Sequence, residues 1–413
     1  MSPSGTRPAP RRPVPTRATV LWRRVAVVGA ALVVAGVVAV VGARVVSRGD
    51  KDRPTTIPAA SSAVVTDGGS QGTTAGSATR GSSPLEVGEA TVTWTDPVGS
   101  APDYLTGGTM PRTLLTEIRY PTRHGSPRGA TFGAPPARSG APWPVIVFAH
   151  GYDTTPGTYA ALLDAWVRAG FVVVAPLFPV ENAHEIAALG GPQAAYAKGA
   201  EGDVFDEPTD VAYVVDQVAA ADEGAASAGA PVLDHLVDLR ELALAGQSDG
   251  GDAVAALVYD APYASDYARM AVHPRAVAVL SGSEFEVAAS NYAAPPHPPA
   301  LLVVQSAADA CNLPEDSVTL YDDIDSPKWF LELFHAHHLP AYTGGDPGAT
   351  SLVTRVTIAF FEDALGLVPG GRARAALLEA GSSAPSVGEL SFGPDAPEIP
   401  NPPEDPNACF YKT

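Results

Sequence analysis

From Leu85 onward, short runs of β-branched and other apolar residues alternate with longer stretches in which apolar residues recur at helical spacing. A run such as Val145-Ile146-Val147-Phe148-Ala149 has no polar face, so it has to be covered on both sides. Helices placed between successive strands provide that cover. The pattern predicts one doubly wound α/β domain with a mostly parallel sheet of about eight strands, at residues 90–94, 113–120, 145–149, 171–176, 242–246, 276–280, 301–305 and 329–334. Helical periods fall at 158–168, 208–219 and 351–365, with a small-residue helix at 250–259. The chain's 413 residues suffice for one large domain with appendages.

The first appendage is the N-terminus. No charged residue interrupts positions 25–43, and at ~1.5 Å per residue such a helix just crosses a ~30 Å hydrocarbon core. Arg7, Arg11, Arg12, Arg17, Arg23 and Arg24 precede it without an acidic residue, whereas Arg44, Arg48, Lys51 and Arg53 follow it mixed with Asp50 and Asp52. That bias places the N-terminus in the cytoplasm. The expected organisation is a cytoplasmic segment (1–24), a single transmembrane anchor (25–46), a Ser/Thr/Gly-rich disordered stalk (47–84), an extracytoplasmic catalytic domain (85–370) and a C-terminal tail (371–413), Pro-rich and irregular from 393. Cleavage of a signal peptide and secretion is the competing reading, although such peptides carry a shorter apolar core of ~7–15 residues. The formal charge of −19, with few lysines, offers no surface for a polyanion, so nucleic acid is not an expected partner.

Gly246-Gln247-Ser248-Asp249-Gly250-Gly251 follows the strand at 242–246 and precedes the small-residue helix. This is the strand–turn–helix setting in which a G-x-S-x-G turn lifts a nucleophilic serine off the sheet. The backbone N–H of Asp249 then faces the position of a developing oxyanion. His150-Gly151-Tyr152 closes the strand at 145–149, and the N–H of Tyr152 is the candidate second donor, with His150 a structural hydrogen-bonding residue beneath the loop.

A serine hydroxyl needs a base, and in this architecture the order is Ser, then Asp or Glu, then His. Asp309, at the end of the strand 301–305, is the candidate acid, with Glu284 and Glu286 as rivals after the preceding strand. Beyond the last strand stand His335, His337 and His338, and position alone leaves the choice among them open. Three imidazoles so close together also raise a zinc site, but no Cys or carboxylate at ligand spacing joins them, so neither metal nor cofactor is expected. Cys311 and Cys409 are the chain's two cysteines, and an oxidising compartment would join them, pinning the tail beside Asp309.

Between about residues 114 and 365 the sequence resembles the α/β-hydrolase superfamily, near the dienelactone hydrolase, platelet-activating-factor acetylhydrolase and chlorophyllase-like branch that includes bacterial polyester hydrolases. The likeness rests on Arg119-Tyr120-Pro121, Phe148-Ala149-His150-Gly151-Tyr152, Gly246-Gln247-Ser248-Asp249-Gly250-Gly251, the loop from Ser306 to Asp309, and Glu332 followed six residues later by His338. It implies Ser248 as nucleophile, Asp309 as acid, His338 as base, the N–H groups of Tyr152 and Asp249 as oxyanion hole, and a small-molecule, lipid or polyester ester as substrate. Gln247 departs from relatives that often carry His or Trp there, and Asp249 brings a negative charge beside the oxyanion. The rival functional readings are a catalytically silent surface-binding module and a peptidase or acyltransferase on the same fold. Oligomeric state has no sequence signal.

Overall fold

The computed structural model describes residues 84–413, apart from Glu286, Gly370, Glu404, 406–408 and 410–413. The expected membrane span, cytoplasmic segment and stalk lie outside the described residues. Among those described, no helix is long and apolar enough to cross a membrane.

The strands are β1 (Glu86–Asp103), β2 (Gly108–Thr122), β3 (Thr131–Phe132), β4 (Trp143–Ala149), β5 (Val172–Leu177), β6 (Val237–Gln247), β7 (Ala276–Leu280), β8 (Ala300–Ser306), β9 (Lys328–Leu333) and β10 (Gly388–Phe392). They form one sheet in the order β10-β9-β8-β7-β6-β4-β5-β2-β1-β3. All eight expected strands are present, but the sheet holds ten among the described residues, which corrects the count. The centre, from β5 through β9, is parallel, while β1, β2 and β10 enter antiparallel at the two sides.

The strand β10 lies in what reads from sequence as tail. It is a five-residue edge strand paired with one neighbour, so it needs no run of apolar residues and leaves a faint pattern. Gly388 opens it because a Cβ there would stand 2.3 Å from the Glu332 carbonyl oxygen. The ordered domain therefore extends beyond residue 370 to at least Phe392.

Side chains of the central strands alternate between two cores. Val145, Val147, Leu242, Leu244, Val277 and Val279 face one side. Ile146, Phe148, Ala243, Ala245, Ala276 and Ala278 face the other. Of the longer helices, α1 (Ala160–Arg168), α2 (Glu207–Asp222), α3 (Asp249–Tyr259), α4 (Pro314–Asp323), α5 (Pro347–Leu365) and α6 (Arg372–Ser382), the second, third and fourth cover the first core and the others cover the second. The chain runs from β4 outward to β5 and then back across β4 to β6, so the loops leaving β4 and β6 part to opposite faces at the carboxyl ends of adjacent strands. In a doubly wound sheet that is where a ligand crevice forms.

One buried ion cluster ties the antiparallel side to the helices. Arg112 of β2 donates to both oxygens of Asp203 (2.8 and 3.0 Å) and to both of Asp210 (2.7 Å each), and all three side chains are buried. A second tie is covalent: Cys311 is bonded to Cys409, 98 positions along the chain, so the expected disulfide is present.

Two outcomes follow for stability. Replacing Arg112 by Leu strands two buried carboxylates and should cost about 3–5 kcal/mol in denaturant unfolding. A loss below about 1 kcal/mol would mean that Asp203 and Asp210 do not need the guanidinium. Cys409→Ser should lower stability by less than the roughly 4–5 kcal/mol that loop closure of this length can supply, and reductant should have the same effect on the wild type and none on the variant.

Candidate active site

Ser248 stands between β6 and α3 at φ +55° and ψ −128°, a backbone conformation that a side-chain-bearing residue rarely adopts. The turn is possible because two glycines flank it. A Cβ on Gly246 would lie 2.0 Å from the Gly250 carbonyl oxygen, and one on Gly250 would lie 2.3 Å from that of Ala149. The backbones of β4, β6 and α3 thus meet in direct contact, and the serine N–H is anchored to the Leu280 carbonyl at 2.9 Å.

The structure brings Ser248, His338 and Asp309 together. Ser248 Oγ lies 2.9 Å from His338 Nε2, and His338 Nδ1 lies 2.8 Å from Asp309 Oδ2. Asp309 is fully buried, and its second oxygen accepts the N–H groups of Cys311 (3.0 Å) and Asn312 (3.1 Å). The carboxylate is therefore held at both ends, and one of the residues that hold it, Cys311, carries the disulfide. Burial opposes charge on His338, but the neighbouring Asp309 and, further off, Asp249 outweigh it and hold the ring above its ordinary value. His335 and His337 are exposed, and His338 is the histidine facing the serine. Glu284 is not the partner of that ring, and Glu286 lies outside the described residues. Among the described residues no three His, Cys, Asp or Glu side chains converge as a metal shell.

The loop after β4 presses on Ser248: a Cβ on Gly151 would come 2.9 Å from Ser248 Cβ. The next residue, Tyr152, is thus beside the serine, and its hydroxyl donates to the Pro192 carbonyl at 3.0 Å. Asp249 occupies the first position of α3, where a helix leaves its N–H groups without partners inside the helix. Of the two proposed oxyanion donors, Asp249 directly follows Ser248, and Tyr152 directly follows the Gly151 that presses on it. His150 sits beneath them, fully buried. Its Nε2 accepts the Phe178 N–H at 3.0 Å, which assigns the proton to Nδ1, from which it is donated to the Gly151 carbonyl at 2.9 Å. Burial lowers its pKa to about 4, so the ring stays neutral and supports the loop.

Several supporting residues gave no signal in the sequence. Ser306 Oγ donates to the carbonyls of Leu333 and Ala336, joining the acid loop to the histidine loop. Tyr159, packed edge-on against Phe148, places its hydroxyl between the Gly151 N–H and Gln247 Oε1. Two buried glutamates lie nearby. The Glu181 backbone carbonyl accepts the Asp153 N–H at 2.8 Å, and its Oε1 accepts the Val204 N–H at 2.9 Å. Neither carboxylate oxygen of Glu207 has a hydrogen-bond partner among the described residues. Burial first, then the nearby acidic groups, Asp249 among them, push both well above the usual carboxylate range. A cleft of about 430 Å³, lined by Arg275, Pro299, Trp329 and Arg374, opens at the opposite ends of β7, β8 and β9 and takes no part in this constellation.

No family model matches the sequence, and no curated protein matches it. Solved structures do: 632 chains match, so the architecture is widely shared and does not by itself choose a substrate. One is a ferulic acid esterase from Streptomyces cinnamoneus, 18% identical, with a TM-score of 0.50 over 76% of this chain and 98% of that one. At that identity the likeness is one of fold, and the mixed sheet with helices on both faces fits the α/β-hydrolase architecture.

Proposed function

We propose that this chain is a serine carboxylic-ester hydrolase that works outside a membrane. The observation that carries the reading is the continuous hydrogen-bonded series from Ser248 through His338 to Asp309, built on a strained turn between β6 and α3. In the proposed reaction His338 takes the serine proton as Oγ attacks the ester carbonyl. The N–H groups of Tyr152 and Asp249 receive the oxyanion, and His338 then passes the proton to the leaving alkoxide. Water, activated by the same ring, releases the acid from the acyl-enzyme. Asp309 fixes the ring with its Nδ1 proton inward and stabilises the imidazolium, and Asp249 adds to that stabilisation. The negative charge next to the oxyanion therefore has a favourable counterpart at the base.

A solved neighbour described as an esterase supports ester hydrolysis as the reaction class. The motifs at Arg119-Tyr120-Pro121 and around Ser248 support a place near the dienelactone hydrolase and polyester hydrolase branch. The substrate would be a small-molecule, lipid or polyester ester. An anchor at 25–46 with the catalytic domain outside the cell is proposed from the arginine bias and the uncharged run, with residues 47–84 as its stalk.

Ser248→Ala should lower ester turnover by on the order of 10⁴–10⁶-fold and abolish fluorophosphonate labelling, with circular dichroism unchanged. His338→Ala should be nearly as damaging and His335→Ala nearly silent, and labelling that survives Ser248→Ala would sink the assignment. The base must be neutral to accept the serine proton, so activity should rise with pH through the His338 pKa. Because that pKa is raised, half-maximal kcat/KM on the acid side should lie above the ordinary imidazole value of about 6.5.

For location, protease added to intact cells should release the catalytic domain by cutting within residues 47–83. Protection of the domain would invert the proposed orientation, and a mature N-terminus near Ala43 would mean cleavage and secretion.

A further inference from the structure

Gln247 is buried beside the nucleophile, and its neighbours fix which way its amide points. The amide nitrogen lies 3.3 Å from the backbone carbonyl oxygen of His338, a group that only a donor can satisfy. The amide oxygen receives the Tyr159 hydroxyl at 2.6 Å. That hydroxyl accepts the Gly151 N–H at 3.2 Å, which leaves its own proton for Gln247, while Thr154 Oγ1 stands 3.2 Å away. In this orientation the amide nitrogen is also 3.3 Å from His338 Nε2, the atom that faces Ser248 Oγ. With the ring's proton on Nδ1 toward Asp309, Nε2 has a single lone pair, and two donors face it.

We propose that Gln247 is a positioning residue that sets the proton affinity of His338, by donating an amide N–H to the neutral ring and opposing the imidazolium. Its bond to Nε2 exists in one protonation state alone, because a protonated Nε2 presents N–H to N–H. The ionisable groups that act on the ring are Asp309, bonded to it, and Asp249, through its charge; the neutral Ser248 hydroxyl faces Nε2, and His335 and His337 are exposed on its own loop. Asp309 and Asp249 favour the cation, and burial and the Gln247 amide oppose it. The same amide ties the base to the oxyanion loop, since Tyr159 holds Gly151 with one side of its hydroxyl and Gln247 with the other. The kinetic consequence rests on the esterase reading, but the titration of the ring does not.

The test is a pH titration of the downfield Nδ1 proton of His338 by NMR, which requires no turnover, alongside the acid side of the kcat/KM profile on a p-nitrophenyl ester. Gln247→Leu, which removes the donor, should raise the midpoint by about half to one pH unit. Gln247→Glu, which replaces the donor by an acceptor for the imidazolium, should raise it further. Tyr159→Phe keeps the amide but releases it, and should give a smaller rise than Gln247→Leu. It carries the test if the Gln247 variants do not fold. Midpoints equal to wild type in the folded variants, whatever their turnover, would reduce Gln247 to packing and overturn the proposal. A rise in Gln247→Glu without one in Gln247→Leu would overturn it too, since the added charge alone would explain it. A wild type that titrates in NMR yet hydrolyses no ester would instead count against the esterase reading.

Discussion

The whole site depends on one steric constraint: the backbones of β4, β6 and α3 touch at Gly246 and Gly250, with no room for a Cβ on either. That contact turns the chain sharply enough to put Ser248 in a conformation with positive φ, which an isolated peptide would abandon. The surrounding sheet holds it there. Ala149 of β4 pairs with Gly246 of β6, so the loop carrying Gly151 and Tyr152 and the turn carrying Ser248 leave adjacent strands at the same level. The strain is local, and the parallel sheet, apolar on both faces, supplies the rigidity that maintains it.

Around that turn, the polar groups of Ser248, His338 and Asp309 are paired in series rather than singly. Asp309 is satisfied at both oxygens, His338 at both nitrogens, and Ser306 fastens the two loops that carry them. His150 shows the other use of an imidazole. Buried and deprived of any carboxylate partner, it is held neutral and acts as a hydrogen-bonded prop, whereas His338, largely enclosed but facing Asp309, keeps its affinity for a proton. Two histidines of one protein are thus driven in opposite directions by the presence or absence of neighbouring carboxylates.

Much of this was legible in the sequence because it follows from local pattern. Val145–Ala149 and Ala276–Leu280 announce buried parallel strands by continuous apolar character, and the glycines around Ser248 announce the turn by chemistry. The candidate acid and the histidine cluster follow from order along the chain, although choosing among His335, His337 and His338 needs a resemblance. What stayed hidden depends on tertiary contact. Strand β10 has one neighbour and little apolar content, β3 is two residues long, and Tyr159, Gln247 and Ser306 acquire their partners from segments 27 to 91 positions away. The pairing of Arg112 with Asp203 and Asp210 is equally invisible in sequence, because nothing local distinguishes these acids from the many solvated ones.

The buried Glu181 and Glu207 give the protein a proton balance of its own. Their pKa values lie above those of the unfolded chain, so between the two values the folded state binds protons that the unfolded chain releases, and folding takes up hydrogen ions from the medium. Between the unfolded and folded values, stability from these two groups falls as pH rises and grows as pH drops. Ester hydrolysis ends in a carboxylic acid. On the proposed chemistry, the acid that accumulates as product would itself stabilise the fold through Glu181 and Glu207.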